Sequence, residues 1–369
     1  MFRKVAQNAL LSIVSFLLTF IVMNLAWYLY DRAFQSAVFI STDYKLPSKT
    51  NLKKADLNSL GLPETYLDSE NSGSLKLFYG LDENTVQGDS VRSVKYQAST
   101  GQAIYDFTAT LDAHKFRVVP NQNKQGDPKI TFLGCSYTFG TGIGHDETVG
   151  AYLQKLQPGA DVKMVAKAGW GANDILFELE KNRTNYSEKS VYIYQFIDDH
   201  LRRTFFQPAT LYNSAASHLL LSQPYYAFEN NDWIYKGSFQ DAKPLYLVLS
   251  KILPYFPALQ RMQGLWGNPA ADGTKQFESL VKKIQLQILN LNPQNRLIVV
   301  IYPYSANRLG PVIAQGLKAQ GVEVLDLSGV DFEAATANRL FIPNDVHPTK
   351  YTNFLLAEMY QTYLQQNQK

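Results

Sequence analysis

The sequence predicts an α/β fold in which a mostly parallel sheet is covered by helices on both faces. The first observation is that apolar runs of strand length alternate with amphipathic runs of helix length from Lys129 onward, the pattern of strands joined by helical crossovers. The second is that Ser136, Gly169 and Asp198 each come at the end of a predicted strand. Because such sheets bind ligands at the carboxyl ends of their strands, we expect a site at this edge.

The elements of the α/β part follow one another in a regular order. The predicted strands are 129–136, 161–169, 190–197, 296–304 and 322–328. The predicted helices are 147–157, 172–182, 276–292, 310–321 and a closing helix from about Thr349. An insertion rich in aromatic residues and proline, at about 201–274, interrupts the alternation after a central strand. It should lie over the same edge as the site, either as a lid or acceptor-binding surface or as a packing subdomain.

Residues 1–33 are predicted to be a transmembrane anchor. From Val5 to Tyr30 no residue is charged, and the run is long enough to cross a bilayer core of roughly 30 Å at about 1.5 Å per residue. The run ends in aromatic residues that suit an interfacial belt, whereas a cleaved signal peptide, the alternative, would end in small residues. Arg3 and Lys4 place the short N-terminal tail in the cytoplasm and the rest of the chain outside it.

Residues 34–128 are predicted to be a spacer followed by a small β-rich leader. The spacer, at 41–74, is polar, contains proline and glycine and shows little periodicity. Short runs with alternating apolar and aromatic positions then predict antiparallel strands at 74–81, 90–98, 102–113 and 115–121. One α/β domain, residues 129–369, completes the predicted organisation.

Charge and cysteine content exclude several function classes. The chain has 35 basic and 32 acidic residues, a net charge of +3 and no long basic run, which argues against a nucleic-acid partner. Cys135 is the single cysteine, so neither an intrachain disulfide nor a thiolate metal site can form. The five histidines show no paired metal-ligand spacing, and Gly140, Gly142 and Gly144 lack the Lys-Ser/Thr of a phosphate loop. We expect neither a metal nor a cofactor.

Three segments carry the predicted chemistry. A serine hydroxyl becomes a nucleophile only when a neighbouring base takes its proton, and the oxyanion that then forms needs donors already in place. FLGCSYTFGTG presents Ser136 just beyond a strand, AGWGAND ends another strand, and DVHPT supplies Asp345 and His347 ahead of the last helix. Each segment alone says little, but together they favour a serine-dependent acyl-transfer or hydrolysis site.

From about Tyr105 to the C-terminus the chain resembles the SGNH/GDSL hydrolase superfamily, in its membrane-tethered bacterial form with a leader ending like YDFTATLDAHKFRVVP. The resemblance implies a flavodoxin-like three-layer fold and ester hydrolysis or acyl transfer without a metal. It implies that Ser136 is the nucleophile and, through its amide, an oxyanion donor, and that Gly169 supplies a second amide. It also implies that His347 is the base and that Asp345 orients it.

The chain departs from the family pattern in two of its blocks. Cys135 stands where the family commonly has aspartate, and its side chain should point away from that of Ser136. Asp198, in QFIDDHLRR, stands where the family has an oxyanion asparagine. Because an ionised carboxylate would repel the oxyanion, we expect Asp198 to be protonated, turned away, or compensated by Arg202 or Arg203.

Two polar groups have structural alternatives. Asp345 precedes His347 by two residues, whereas the family often places its acid three residues ahead, here at Asn344. The same pair in front of a helix is also compatible with helix capping. His200, beside two aspartates and Arg202, is either a group that supports the site or, as we favour, a structural hydrogen-bonding residue.

The leading hypothesis is an extracytoplasmic serine esterase or O-acyltransferase that works through an acyl-serine intermediate. The anchor and the aromatic insertion favour an acylated glycan, a lipid or another cell-envelope ester as substrate. The expected location is the bacterial inner membrane, with a single span, a cytoplasmic N-terminus and a periplasmic main domain. The alternative is a non-catalytic, membrane-tethered glycan-binding or assembly protein with a decayed site, which Asp198 favours and the presence of Ser136 and His347 opposes.

Overall fold

The structure is a computed structural model that describes residues 90–96, 103–205, 221–245, 269–303, 309–330, 340–343 and 345–367, together with the single helical positions Ser15, Thr19, Val22 and Val248. Apart from these single positions, the predicted anchor, the spacer and the predicted strand at 74–81 lie outside the described residues. Within the described part of the chain, no helix combines the length and the apolar character needed to cross a membrane.

The described elements follow the predicted order. The strands are β1 (Ser90–Tyr96), β2 (Ala103–Thr110), β3 (Lys129–Gly134), β4 (Asp161–Ala166), β5 (Val191–Phe196), β6 (Pro224–Glu229), β7 (Asp232–Ser238), β8 (Arg296–Ile301) and β9 (Glu323–Asp326). The helices are α1 (Ser136–Phe139), α2 (Val149–Leu156), α3 (Ala172–Lys181), α4 (Asp199–Phe205), α5 (Phe239–Ala242), α6 (Pro269–Leu291), α7 (Gly310–Ala319) and α8 (Lys350–Gln366). Helix α6 begins earlier than predicted.

One parallel sheet forms the centre of the domain, with the strand order β4-β3-β5-β8-β9. This confirms the predicted mostly parallel sheet. The chain passes from β3 outward to β4, returns across β3 to β5, and continues through β8 to β9 on the other side. In this flavodoxin-like order, the ligand crevice opens where the winding reverses, between the carboxyl ends of β3 and β5.

Helices cover the sheet on both faces, as the crossover rule requires for parallel strands. Helix α2 packs against α8 on one face, and α6 packs against α3 and α7 on the other. Between α2 and α8, Gln361 Nε2 donates to the carbonyl of Leu156 at 3.0 Å. Strands β3, β5 and β8 are buried from their second residue to their last, so their apolar side chains form the core on both sides of the sheet.

The leader contributes one antiparallel pair, β1 and β2, as predicted. The run at 115–121 is not a strand, and this prediction was wrong. Only an isolated bridge joins Leu111 to Arg117 there. The chain turns at Asp112, whose Oδ1 accepts a hydrogen bond from the amide of Phe116 at 2.9 Å. The side chain of Arg117, which follows Phe116, is buried.

Between α4 and α6, the described part of the insertion contains the β6-β7 hairpin followed by the short helix α5. The hairpin packs on the helical layer, where Tyr226 Oη donates to Glu180 Oε2 of α3 at 2.6 Å. Trp233 Nε1 donates to Ser279 Oγ of α6 at 2.8 Å. These contacts attach the hairpin to the helical layer, and the choice between a lid and a packing subdomain stays a prediction.

Candidate active site

Ser136 lies directly beyond the carboxyl end of β3, as the first residue of α1. The chain turns from strand to helix at Cys135, and a side chain at Gly134 would collide with Thr138 Oγ1, so glycine is needed for α1 to fold back this closely. Cys135 is fully buried, whereas Ser136 is 5% exposed. The amide of Ser136, in the first turn of a helix, has no partner within that helix and can donate to another group.

The glycine loop that follows α1 is held by a buried arginine that the sequence analysis did not single out. Arg117 is 2% exposed. Its Nη1 donates to the carbonyls of Phe139 at 3.1 Å and Gly140 at 2.6 Å, and its Nη2 donates to that of Ile143 at 2.9 Å. Burial lowers the pKa of Arg117 to about 10, with a smaller opposing effect from Glu147. The loop carbonyls therefore face a cation, which fixes the loop behind Ser136.

Asp345 and His347 form a close pair in the loop before α8. His347 Nδ1 lies 2.5 Å from Asp345 Oδ1, and the amide of His347 donates to the same oxygen at 2.7 Å. Asp345 Oδ2 accepts from Lys95 Nζ of β1 at 2.5 Å, and the carboxylate is fully buried. Because the carboxylate occupies Nδ1, the imidazole presents Nε2 to any proton donor in the crevice.

The partners of Asp345 keep its carboxylate ionised. Burial raises the pKa of Asp345, but the hydrogen bond and charge of His347, together with those of Lys95, outweigh burial and hold the pKa well below its usual range. An ionised, fixed carboxylate beside Nδ1 is the arrangement that orients a histidine base and stabilises the imidazolium.

The helix-capping interpretation of Asp345 was wrong. The cap of α8 is Thr349, whose hydroxyl accepts the amide of Thr352 at 3.4 Å. Asp345 instead lies within a tight loop closed by the amide of Ile342, which donates to the carbonyl of His347 at 2.9 Å. The loop brings Asp345 and His347 together without help from the helix.

Tyr137 links the serine segment to the histidine loop. Its hydroxyl donates to the carbonyl of Val346 at 2.7 Å, and its ring centroid lies 5.6 Å from that of His347. Tyr302, which follows β8, packs edge-on against the ring of Tyr137, with 5.2 Å between the two ring centroids. The residue next to Ser136 thus contacts the loop that carries the base.

No hydrogen bond joins Ser136 and His347 among the described residues. A contact between a serine and its base commonly tightens only when substrate binds.

Gly169 lies after β4, at the same edge of the sheet as Ser136. It is buried and has a φ of +81°, a conformation that favours glycine. Its carbonyl accepts from Gln223 Nε2 at 2.6 Å, and Asn173 Nδ2 donates to the carbonyl of Pro224 at 2.7 Å. The insertion therefore braces the turn that carries Gly169.

Asp198 follows β5, at the strand end that borders the crevice, and is 9% exposed. Compensation by Arg202 or Arg203 was one of the three alternatives for Asp198, and both arginines form ion pairs with Asp199. Arg202 Nη2 donates to Asp199 Oδ1 at 2.7 Å, and Arg203 Nη2 donates to Asp199 Oδ2 at 3.2 Å. Arg203 Nη1 also donates to the carbonyl of Trp170 at 3.1 Å. Both guanidinium groups are thus engaged by the neighbouring carboxylate, and Arg203 also supports the turn of Gly169.

His200 has a structural environment. It is fully buried, its Nδ1 lies 2.8 Å from Tyr194 Oη, and the two rings are stacked at 5.4 Å. Burial, and then the charge of Arg203, holds the pKa of His200 well below its usual range. A neutral histidine hydrogen-bonded to a core tyrosine matches the interpretation that the sequence favoured.

Three residues of this region were missed by the sequence analysis: Lys95, Arg117 and Tyr137. Tyr137 is adjacent to Ser136, so its position was a usable signal. Arg117 interrupts the apolar run FRVV, and a charged residue in such a run is a sign of a buried partner. For Lys95 the sequence contains no signal, since its partner lies 250 residues away.

The described residues contain no group of three or more His, Cys, Asp and Glu side chains that could hold a metal ion. The groups that the structure does bring to one edge are a hydroxyl, an imidazole–carboxylate pair and backbone amides. Such a set can transfer a proton and bind an oxyanion.

Comparison with known proteins gives structural neighbours only, since no family model and no curated protein matches the chain. One neighbour is described as a lipolytic protein of the G-D-S-L family from Desulfitobacterium hafniense DCB-2, with 12% identity, a TM-score of 0.38, and coverage of 63% of this chain and 97% of that one. A second is an extracellular lipase from Streptomyces rimosus, with 14% identity, a TM-score of 0.35, and coverage of 63% and 98%. A third is a family two carbohydrate esterase from Clostridium thermocellum in complex with cellohexaose, with 12% identity, a TM-score of 0.36, and coverage of 73% and 72%.

Proposed function

We propose that the protein is a serine-dependent ester hydrolase or O-acyltransferase, with Ser136 as nucleophile and His347 as base. The observation that carries the proposal is the contact of 2.5 Å between His347 Nδ1 and the buried Asp345 Oδ1. The loop that holds this pair is bound to Tyr137, the residue next to Ser136. A fixed imidazole and a serine at a strand-to-helix turn are therefore held at one end of the sheet.

The chemistry follows from these groups. Nε2 of His347 takes the proton of Ser136 Oγ as this oxygen forms a bond to the acyl carbon of an ester, whose carbonyl oxygen becomes an oxyanion. When the carbon–oxygen bond to the alcohol breaks, the imidazolium returns its proton to the departing oxygen. Water or a sugar hydroxyl then attacks the acyl-serine and loses its proton to Nε2. When the bond between the acyl carbon and Ser136 Oγ breaks, the imidazolium returns that proton to Oγ and the resting enzyme is restored.

The oxyanion is proposed to be held by backbone amides. The amide of Ser136 lies in the first turn of α1, and the amide of Gly169 belongs to a turn braced by Gln223. Donors that are fixed before the reaction stabilise the developing charge without further reorganisation. Asp198 is proposed to be the group at the position where the family has asparagine, a place at which its charge would oppose catalysis.

The substrate and location are proposed from the sequence. The uncharged run from Val5 to Tyr30 supports a single span in a bacterial inner membrane with the main domain in the periplasm. A site held above a membrane is suited to an acylated glycan, a lipid or another cell-envelope ester. Among these classes we propose an esterified glycan as the substrate to test first.

A fluorophosphonate probe tests the proposal directly. The full-length protein in detergent is incubated with the probe, and the modified peptide is identified by mass spectrometry. We expect one adduct, on Ser136, that does not form after the protein is unfolded by heat. No adduct on the folded protein, together with no turnover of acetyl or short acyl esters, would contradict the proposal. Adding a sugar acceptor then distinguishes transfer from hydrolysis, because the acyl group appears on the sugar instead of as free acid.

A second candidate function is non-catalytic binding of a glycan, or a role in assembly, by a decayed site. Asp198 favours this function, because a buried carboxylate at the strand end bordering the crevice is unfavourable for oxyanion chemistry. A folded protein that binds oligosaccharide but does not react with the probe would support it.

Replacing Asp198 by asparagine tests its proposed position. An amide at the oxyanion site donates a hydrogen bond where a carboxylate repels, so Asp198→Asn is expected to keep ester hydrolysis at the wild-type rate or raise it by up to about tenfold. Initial rates on a short acyl ester, corrected for the folded fraction, provide the measurement. Asp232→Asn removes the same charge from an exposed ion pair with Lys283 and is the matched control. A large loss of activity in folded Asp198→Asn would refute the assignment.

A further inference from the structure

The leader strand β1 reaches the Asp345–His347 pair through Lys95. The two oxygens of Asp345 are divided between two partners: Oδ1 faces the amide and Nδ1 of His347, and Oδ2 accepts from Lys95 Nζ at 2.5 Å. The carboxylate is fully buried, and the Lys95 side chain is 18% exposed. Because each oxygen is bonded from a different side, the carboxylate cannot turn without losing one of its partners.

The local structure of β1 directs Lys95 toward this contact. Along β1 and β2 the register is regular as far as the pair of Lys95 with Tyr105, and it shifts between Lys95 and Tyr96. A shift of this kind changes the direction of the side chains around it and is frequent beside active sites. The strand thus leaves the regular ladder at the residue that contacts Asp345.

The leader hairpin is also packed against the serine side of the site. Tyr105 packs in a cluster with Phe107 and Phe139, and Phe139 is the last residue of α1. A Cβ at Gly142 would lie 2.5 Å from Ile342 Cδ1 and 3.0 Å from Tyr105 Cδ1. The leader, the glycine loop after Ser136 and the segment before Asp345 therefore meet at one place. A displacement of β1 would affect both halves of the site.

Charge explains what Lys95 contributes. A buried carboxylate with one neutral partner is costly, because burial favours its protonated form. In the described residues, the groups that act electrostatically on Asp345 are His347 and Lys95. Of these two groups, Lys95 brings an ammonium to Asp345 Oδ2, whereas the imidazole of His347 must be neutral to act as a base.

We propose that Lys95 is a positioning residue of the catalytic site, which keeps Asp345 ionised and directed at His347 Nδ1. This inference rests on the proposed function. Lys95 transfers no proton and acts only through Asp345. The leader is therefore a part of the active site, and catalysis requires it to be docked.

The test compares Lys95→Met, which keeps the length of the side chain without its charge, with Lys95→Arg. We expect Lys95→Met to lower the rate constant of fluorophosphonate labelling at Ser136 by about 10- to 100-fold per folded molecule. In ester hydrolysis kcat should fall while KM is unchanged. The acid limb of the pH–rate profile should move to higher pH, because a cation beside the pair disfavours its protonation. Lys95→Arg should restore most of the rate.

Lys236→Met is the matched control, since it removes a lysine from an exposed ion pair with Glu229 on the β6-β7 hairpin. The probe should label Ser136 of Lys236→Met at the wild-type rate. If Lys95 had only a structural role, Lys95→Met would lower the unfolding temperature of the protein but would leave the labelling rate per folded molecule and the pH–rate profile unchanged. That result would overturn the inference.

A second measurement separates this inference from the proposed function. The proton between His347 Nδ1 and Asp345 should give a far-downfield proton resonance in the wild-type protein that is absent in Asp345→Asn. We expect Lys95→Met to shift or abolish it. If the wild-type protein does not react with the probe, the proposed function fails, and the resonance still tests the role of Lys95. An identical resonance in wild-type and Lys95→Met would refute that role.

Discussion

Replacing Ser136 by alanine is expected to leave the protein folded and to lower ester hydrolysis by at least about ten-thousand-fold. Ser136 is the first residue of α1 and is nearly buried, so alanine fits the site and removes only the hydroxyl. Without this oxygen no acyl-enzyme can form, and any remaining rate comes from the oxyanion donors acting on water. The measurement is the initial rate on a short acyl ester, with far-UV circular dichroism to confirm folding.

Ser328→Ala is the control for the Ser136 prediction. Ser328 follows β9, at the same edge of the sheet, and its hydroxyl bonds to Asp326 Oδ1 at 2.6 Å in an exposed position. We expect full activity from this variant. If Ser136→Ala kept more than about a tenth of the wild-type rate while folded, Ser136 would not be the nucleophile.

Asp345→Asn is expected to lower kcat by about a thousand- to ten-thousand-fold. The amide has nearly the same shape, but it cannot carry the charge that stabilises the imidazolium, and it allows the wrong tautomer of His347. It also leaves the ammonium of Lys95 without its carboxylate. The rate of acyl-serine formation, followed by rapid mixing with a chromogenic ester, measures the effect on the first chemical step.

The same substitution should affect stability in a pH-dependent manner. The folded protein holds the pKa of Asp345 below its usual range, so the stabilisation is present above the pKa of an unfolded aspartate, about 3.9, and is lost as pH falls through the folded-state value. Urea unfolding should therefore show the largest difference between wild-type and Asp345→Asn near neutral pH and a smaller one below about pH 4. Asp232→Asn, in an exposed pair with Lys283, should change stability by less than about 1 kcal/mol. An equal effect of the two substitutions would contradict the expected stabilisation by the buried ion pairs of Asp345.

Much of the α/β fold could be predicted because its signals are local. Strands such as β3 and β5 are continuous apolar runs bounded by turn residues, and amphipathic runs of helix length follow them. The ends were less predictable. The strand that was predicted at 161–169 ends at Ala166 in the structure, and the chain turns at Gly169, where φ is +81°. The prediction was too long because the sequence pattern continues past the last residue that pairs in the sheet. The prediction of a strand at 115–121 failed because the local sequence does not reveal that the side chain of Arg117 binds buried carbonyl groups of the glycine loop.

The candidate site was predictable in its parts. Ser136 and the Asp345–His347 pair stand out because each combines a reactive side chain with a turn at the end of a strand or the start of a helix. The sequence could not decide what Asp345 does, since a helix cap and a partner for histidine have the same local pattern. Only the structure shows that Thr349 caps α8 and leaves Asp345 to His347.

By itself the sequence determined the alternation of strands and helices, the position of Ser136 at a glycine-edged turn and the absence of a disulfide, because these depend on near neighbours or on composition. The tertiary structure alone decided that Arg117 holds the glycine loop, that Tyr137 contacts the histidine loop, and that Lys95 binds Asp345. The physical reason is distance along the chain. Hydrogen bonds and ion pairs act over a few ångströms, and the pairing of residues 250 positions apart exists only once the leader strand has packed against the sheet edge.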